Sequence, residues 1–402
     1  MQNAIAQEAS TAARPDDTGA RLGLALLGYM LAVTLIVALL PFHFEWPDRW
    51  NVEAGDDPYA AVFGALLFVP LGFLYRLGSA RERGSLALVV LNAALISVAI
   101  EAIQLFDVTH DSTVLDVAAN TAGALIGVLC FDAIARSAKH HGWVIGWLGL
   151  EIPLMGLVYL LVPLLWVNTL AARGDLPPTL MTLLIGAFGA TLLGGLQRHY
   201  FGPRGAAEAH HTAGFAGLWF FAGAFAMLPW QPFVLIAGVV GATVLCWWLG
   251  QRPLPEHGAN RRFEGALLRA ATPLYGVYLL MLIVLPVLEE IGAWHGHVGF
   301  PRITSSQVET ARLLELCAAF TLLGYMAAEM RGRQVMHYRD ALPRLIGWSV
   351  ALAVAAEATR GFGVEGASLV RGLLTVAACL YGGWLYYLQR AHVIQLVSAQ
   401  RR

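Results

Sequence analysis

The chain has 402 residues, of which 57% are hydrophobic and only 13% charged, with a formal net charge of -1. A soluble domain carries about 25% charged residues, so charge here is too sparse to coat a globule of this length. A net charge near zero also leaves no concentrated basic face for nucleic acid.

The segment 1–21 is polar, lacks the basic n-region and short apolar stretch of a signal peptide, and reads as a tail ahead of a retained first span. In lipid every backbone polar group must be satisfied internally, so runs of about 20 apolar residues read as spanning helices. Such runs fall at 22–42, 58–76, 85–106, 112–133, 143–168, 178–197, 212–228, 231–250, 270–290, 308–330, 342–360 and 366–388. They predict an all-α polytopic membrane protein of about twelve transmembrane helices in a 4+4+4 arrangement. Its parts are a four-helix domain at 22–135, a middle four-helix region at 143–250, a third set at 270–388 and a tail at 389–402. Leu228-Pro229-Trp230 makes the seventh and eighth spans a tight hairpin, and their boundary leaves eleven spans as the alternative. Cys130, Cys246, Cys317 and Cys379 sit inside apolar runs without CxxC spacing, which points to neither a disulfide framework nor a zinc site. No cofactor motif stands out.

Lys and Arg concentrate in cytoplasmic loops. Here 20 of the 26 fall at 76–83, 136–139, 198–204, 252–269 and 331–344 and at the two ends. Alternate loops are acidic instead, with Glu45, Asp48, Glu53, Asp56 and Asp57 in one and Glu289 and Glu290 in another. An even number of spans with both termini cytoplasmic fits this pattern, in a bacterial inner membrane. Trp46, Trp50, Trp230 and Trp294 read as interfacial anchors. His295-x-His297 has no second pair at metal-ligand spacing and reads as a solvated outer loop.

Ionisable residues inside spans are costly and are candidates for function. Ser97, Glu101 and Gln104 stand at i, i+4 and i+7 in the third span and share one face. Asp116 and Asn120 share a face of the fourth span with Gly123 and Gly127, and Ala119, Gly123 and Gly127 form a small-xxx-small stripe for close helix approach. Glu101 and Asp116 lie eight and seven residues from the turn near Thr109, so each sits about 10 Å below it. His110 caps the resulting layer in the loop. The bland alternative is that buried carboxyl and amide groups fasten two helices together.

These residues carry a likeness. Glu101-xx-Gln104-x-Phe106, followed by Ser112-xxx-Asp116-xxx-Asn120-xx-Gly123-xxx-Gly127, resembles the signature of the VanZ-like family, the teicoplanin-resistance-protein-like membrane proteins. Leu40-Pro41-Phe42 and Phe68-Val69-Pro70-Leu71-Gly72 match as well, and the resemblance covers residues 22 to about 133. The family commonly has an arginine where His110 stands, and often an Asp and an Asn where Ala60 and Gly64 stand. The first departure weakens an anion-clamp role, because histidine is charged only part of the time near neutral pH. The resemblance implies a role in envelope or exopolysaccharide processes or glycopeptide resistance, with a lipid-linked or glycan ligand, and implies no particular reaction.

Slid against itself, the chain matches 97–127 with 353–383 at an offset of 256, with ten identities in 31 positions against roughly three expected from so biased a composition. This predicts a degenerate second copy at 270–388. In that register Glu357 replaces Glu101, Arg360 replaces Gln104 and could pair with Glu357, Gly372 stands for Asp116 and Val376 for Asn120. Parallel repeats also occur in transporters. The functional expectations are therefore an envelope protein with an outward carboxylate pocket, a proton-coupled transporter, a membrane enzyme using Glu101 and Asp116 as acid and base, or a scaffold for polysaccharide assembly. The bilayer is the one partner the sequence names.

Overall fold

A computed structural model describes residues 15–40, 42–46, 52–78, 86–107, 112–140, 154–172, 176–201, 209–252, 263–299, 307–332 and 337–400. Pro41, Trp50, His110 and the start of the expected fifth span at 143 lie outside the described residues. Twelve α-helices and four two-residue strands are described. Eleven of the helices are long and apolar enough to cross a membrane, and the chain is an all-α, multi-pass membrane protein. The exception is the expected seventh span. Its helix runs only from Ala209 to Ala224, 16 residues, before a 3-10 turn at Phe225–Met227.

The chain divides into two compact units, Met1–Met155 with Leu385–Arg402, and Gly156–Trp384. In the first, α1 (Pro15–Ala38), α2 (Pro58–Gly78), α3 (Leu86–Gln104) and α4 (Val114–His140) follow one another, with β1 (Val52–Glu53) and β2 (Ser112–Thr113) in the loops. The α2–α4 packing is the most extensive, and α1 lies against α2 while α3 lies against α4. The first span ends at Ala38 rather than 42, because the chain turns at Leu39–Leu40 and Phe42 adopts a φ of 66°.

The second unit holds α5 (Met155–Ala172, from its second residue), α6 (Leu176–Phe201), α7 (Ala209–Ala224), α8 (Pro232–Gln251), α9 (Phe263–Glu289), α10 (Gln307–Gly332), α11 (Tyr338–Arg360) and the first half of α12 (Leu369–Gln400), with β3 (Gly296–His297) and β4 (Ala367–Ser368). α5 is apolar on every face and almost wholly buried, as such a helix must be. α8 instead exposes Phe233, Ile236, Val240, Val244 and Trp247 along one stripe, a lipid-facing spacing. The Leu228–Trp230 turn joins α7 and α8 as packed neighbours. Helix α12 continues to Gln400, through the segment expected to be a tail, because nothing after Gly383 breaks it.

Candidate functional site

α3 turns Ser97, Ile100, Glu101 and Gln104 inward and leaves Val98 and Ile103 exposed. α4 begins after Thr113, whose hydroxyl accepts a hydrogen bond from the Asp116 backbone N–H at 3.0 Å and donates to Asp116 Oδ2 at 2.7 Å. This is N-capping by a threonine. The Thr113 backbone N–H donates to Glu101 Oε2 at 2.9 Å, and the Ser112 hydroxyl donates to the Glu101 carbonyl at 2.7 Å. One residue, Thr113, thus links the two carboxyls. One turn deeper, Asn120 Nδ2 donates to Ser97 Oγ at 2.9 Å. Asn120 Oδ1 is buried without a hydrogen-bond partner, and a Cβ on Gly64 would overlap it. A side chain at position 64 would therefore face Asn120.

Glu101 and Asp116 are therefore joined through Thr113, with Ser97 and Asn120 paired one turn deeper on the same two helices. Gln104 points elsewhere: its Nε2 donates to the Ala38 carbonyl at the end of α1, at 2.8 Å. The stretch between α1 and α2 folds over the α3–α4 turn. Val52–Glu53 pairs in parallel with Ser112–Thr113, Phe44 bridges Asp107, and Glu45 N–H donates to the Phe106 carbonyl at 2.7 Å. Below Asn120 on α4, Cβ atoms on Gly123 and Gly127 would overlap the carbonyls of Ala65 and Val69, and one on Gly72 would overlap that of Ala124. The small-residue stripe thus meets α2 rather than the hairpin partner α3.

Thr113→Val keeps the side-chain shape and removes both the cap acceptor and the donor to Asp116. It should cost about 1 kcal/mol, read as a lowered Tm of the purified protein. An unchanged Tm would show that neither bond matters to the fold.

The second unit has a hairpin with similar bonding. The Ser368 N–H donates to Glu357 Oε2 at 2.7 Å, and the Arg371 N–H donates to Ser368 Oγ at 3.2 Å. Arg371 is almost fully buried. Its Nε and Nη2 bind both oxygens of Glu357 at 2.8 and 2.9 Å, its Nη1 binds Glu365 at 2.6 Å, and Nη2 also meets the Gly366 carbonyl. The expected Arg360–Glu357 pair is replaced by Arg371–Glu357, because Arg360 Nη2 is turned to the Leu282 carbonyl at 3.0 Å. The Arg371 N–H meets the Ser368 hydroxyl as the Asp116 N–H meets that of Thr113, whereas the ungapped register sets Gly372 against Asp116.

A further buried network escaped the sequence reading. Thr182 donates to Asn168 Oδ1, and Asn168 Nδ2 and the Tyr278 hydroxyl both donate to Glu315 Oε1, at 2.6 and 2.9 Å. Each of α5, α6, α9 and α10 supplies one of these groups, so no spacing within a helix announces them. His295 and His297 lie at β3, where backbone groups of His295 bond Gly361 and Ala367. Among the described residues no group of His, Cys, Asp and Glu is arranged to hold a metal ion.

Among known proteins, no curated sequence and no solved structure matches the chain. The model of the VanZ/LLP1 family matches residues 18–136. That span takes in α1 to α4, with Glu101, Thr113, Asp116 and Asn120, so this four-helix segment of the membrane protein is VanZ-like.

Proposed function

We propose that the chain acts in the cell envelope, where the Glu101, Asp116 and Asn120 layer engages a lipid-linked or glycan component from the periplasmic side of a bacterial inner membrane. The observation that carries this reading is the hydrogen-bonded polar layer at the α3–α4 turn, inside apolar spans, in the segment that matches the VanZ/LLP1 family. Polar groups at such depth are costly to keep. The unpartnered Asn120 Oδ1 supports reading the layer as more than a fastening. The distribution of Lys and Arg supports placing this turn outside and both termini inside.

The same reading includes a degenerate second copy at 270–388. Its support is a set of contacts repeated with a constant offset for each element. Gln104 on the Ala38 carbonyl is matched by Arg360 on that of Leu282. Thr113 on Glu101 is matched by Ser368 on Glu357, and the β1–β2 pairing by β3–β4. Gly72 against Ala124 is matched by Gly324 against Cys379.

The test is a deletion strain complemented with wild-type, Glu101→Gln or Asp116→Asn protein, with envelope lipids and surface polysaccharide followed by mass spectrometry. A species restored only by the wild type is expected. Full restoration by both variants, at normal expression, would remove the layer from the function. The paired four-helix sets favour a second reading, a proton-coupled transporter. Arg371 neutralises the second carboxylate in that scheme, which leaves the first set to carry the proton. Substrate movement in vesicles that tracks the proton gradient and fails in Asp116→Asn would select it.

A further inference from the structure

Outside the VanZ-like segment, the second unit contains a cavity of about 200 Å³, lined from α6, α9, α10 and α11. Arg360, the last residue of α11, faces it and is 6% exposed. Among the described residues its guanidinium makes one hydrogen bond, from Nη2 to the Leu282 carbonyl, and its buried Nε has no partner there. Among the described residues no carboxylate lies within the 4.0 Å of an ion pair with it. A guanidinium stays charged and offers five donors. Glu315, Glu357 and Glu365 act on this charge from a distance, but none of them accepts a hydrogen bond from its remaining donors.

The carboxylates around the cavity are already engaged. Glu365 binds Arg371, Glu315 accepts from Asn168 and Tyr278, and Glu289 lies 3.6 Å from Arg312. The Arg312–Glu289 pair is half-open to solvent, so it holds Arg312 only loosely. Glutamine does the packing part of the Arg360 role elsewhere in the chain: Gln104 makes the equivalent bond to a helix-end carbonyl with no charge. Arg360 thus offers the cavity N–H donors that a glutamine in its place would lack. Depth points the same way. Arg360 and Glu289 end their helices, and Arg312 is five residues into α10, about 7 Å from its start. The cavity thus sits at the ends of the spans, where headgroups and aqueous ions can both reach.

We propose that this cavity binds an anionic oxygen group, a phosphate or carboxylate, received by Arg360 and closed over by Arg312. Guanidinium donors in a fixed fork match such oxygens and bind them through charge-assisted bonds. A lipid phosphate and a free phosphate share this chemistry.

The experiment uses the full chain in an uncharged detergent. Inorganic phosphate, dioctanoyl phosphatidylglycerol and, as a phosphate-free control, dioctanoylglycerol are titrated separately, with native mass spectrometry and calorimetry as readouts. Wild-type protein should bind one equivalent of at least one phosphate probe and not the control. Binding of phosphatidylglycerol alone identifies a lipid site, and binding of inorganic phosphate a free-anion site. Arg360→Gln should weaken that binding by about tenfold or more while Tm stays near that of the wild type. If that variant does not fold, Arg312→Gln carries the test, with about threefold weaker binding expected. The proposal is overturned if neither phosphate probe binds the wild type, if the control binds equally well, or if the folded variant binds as tightly as the wild type.

Discussion

Glu357→Ala should destabilise the second unit by about 3 kcal/mol, because removing one partner of a buried ion pair strands the other. Arg371 is 1% exposed and holds Glu357 through both oxygens. Without Glu357 it keeps Glu365 and the Gly366 carbonyl, while its Nε faces a void. The matching change in the first unit, Glu101→Ala, removes a carboxylate that accepts one backbone N–H and has no ion-pair partner among the described residues. That loss should be smaller, about 1–2 kcal/mol. Denaturant or thermal unfolding in detergent compares the two directly. A double variant, Glu357→Leu with Arg371→Met, should recover much of the loss, since exchanging a buried pair for apolar side chains of similar size is often neutral. If Glu357→Ala unfolds no more readily than Glu101→Ala, the ion pair does not hold the hairpin. A double variant as unstable as the single one would instead show that packing around residue 357, not charge, is what matters.

Spans and the shared face of Ser97 and Glu101 were legible because both follow from apolar run length and the 3.6-residue period. Three things were not. Thr113 makes the bonds that join Glu101 to Asp116, yet it reads as an ordinary helix cap, since its partner on α3 lies twelve residues upstream. Arg371 stands out only by its bonds, because the ungapped register sets Gly372 against Asp116. The turn from Glu357 to α12 is one residue shorter than that from Glu101 to α4. The doublets Ala377-Ala378 and Gly382-Gly383 score the same in either register, so only hydrogen bonds tell them apart. The Asn168, Thr182, Tyr278 and Glu315 cluster draws on helices far apart in sequence. A single polar residue per helix looks incidental until the helices are packed. The end of the seventh helix was hidden for a related reason: hydropathy runs on through Phe225–Met227, where the backbone has already left the α-helix.

Gly123→Val should prevent α2 and α4 from meeting. At this crossing backbone touches backbone. A Cβ on Gly123 would overlap the Ala65 carbonyl, and the neighbouring contacts of Gly127 with Val69 and Gly72 with Ala124 leave no room for a shift. Overpacking costs typically 1–3 kcal/mol where side chains can yield. Carbonyls on a helix cannot, so at least about 3 kcal/mol is expected, seen as lost monodisperse protein and a lowered Tm. Gly276→Ala is the control. No atom lies within 4 Å of the added methyl, and alanine in place of a helical glycine should stabilise by up to about 1 kcal/mol. Equal stability of the two variants would refute the close crossing. The crossing also bears on the polar layer, because Asn120 lies three residues before Gly123 and fits against Gly64 only at this separation. Even the milder Gly123→Ala should therefore move Asn120 off Ser97, and activity should fall further than stability does. A variant that lost stability and activity in proportion would mean that the α2–α4 spacing serves the fold and not the layer.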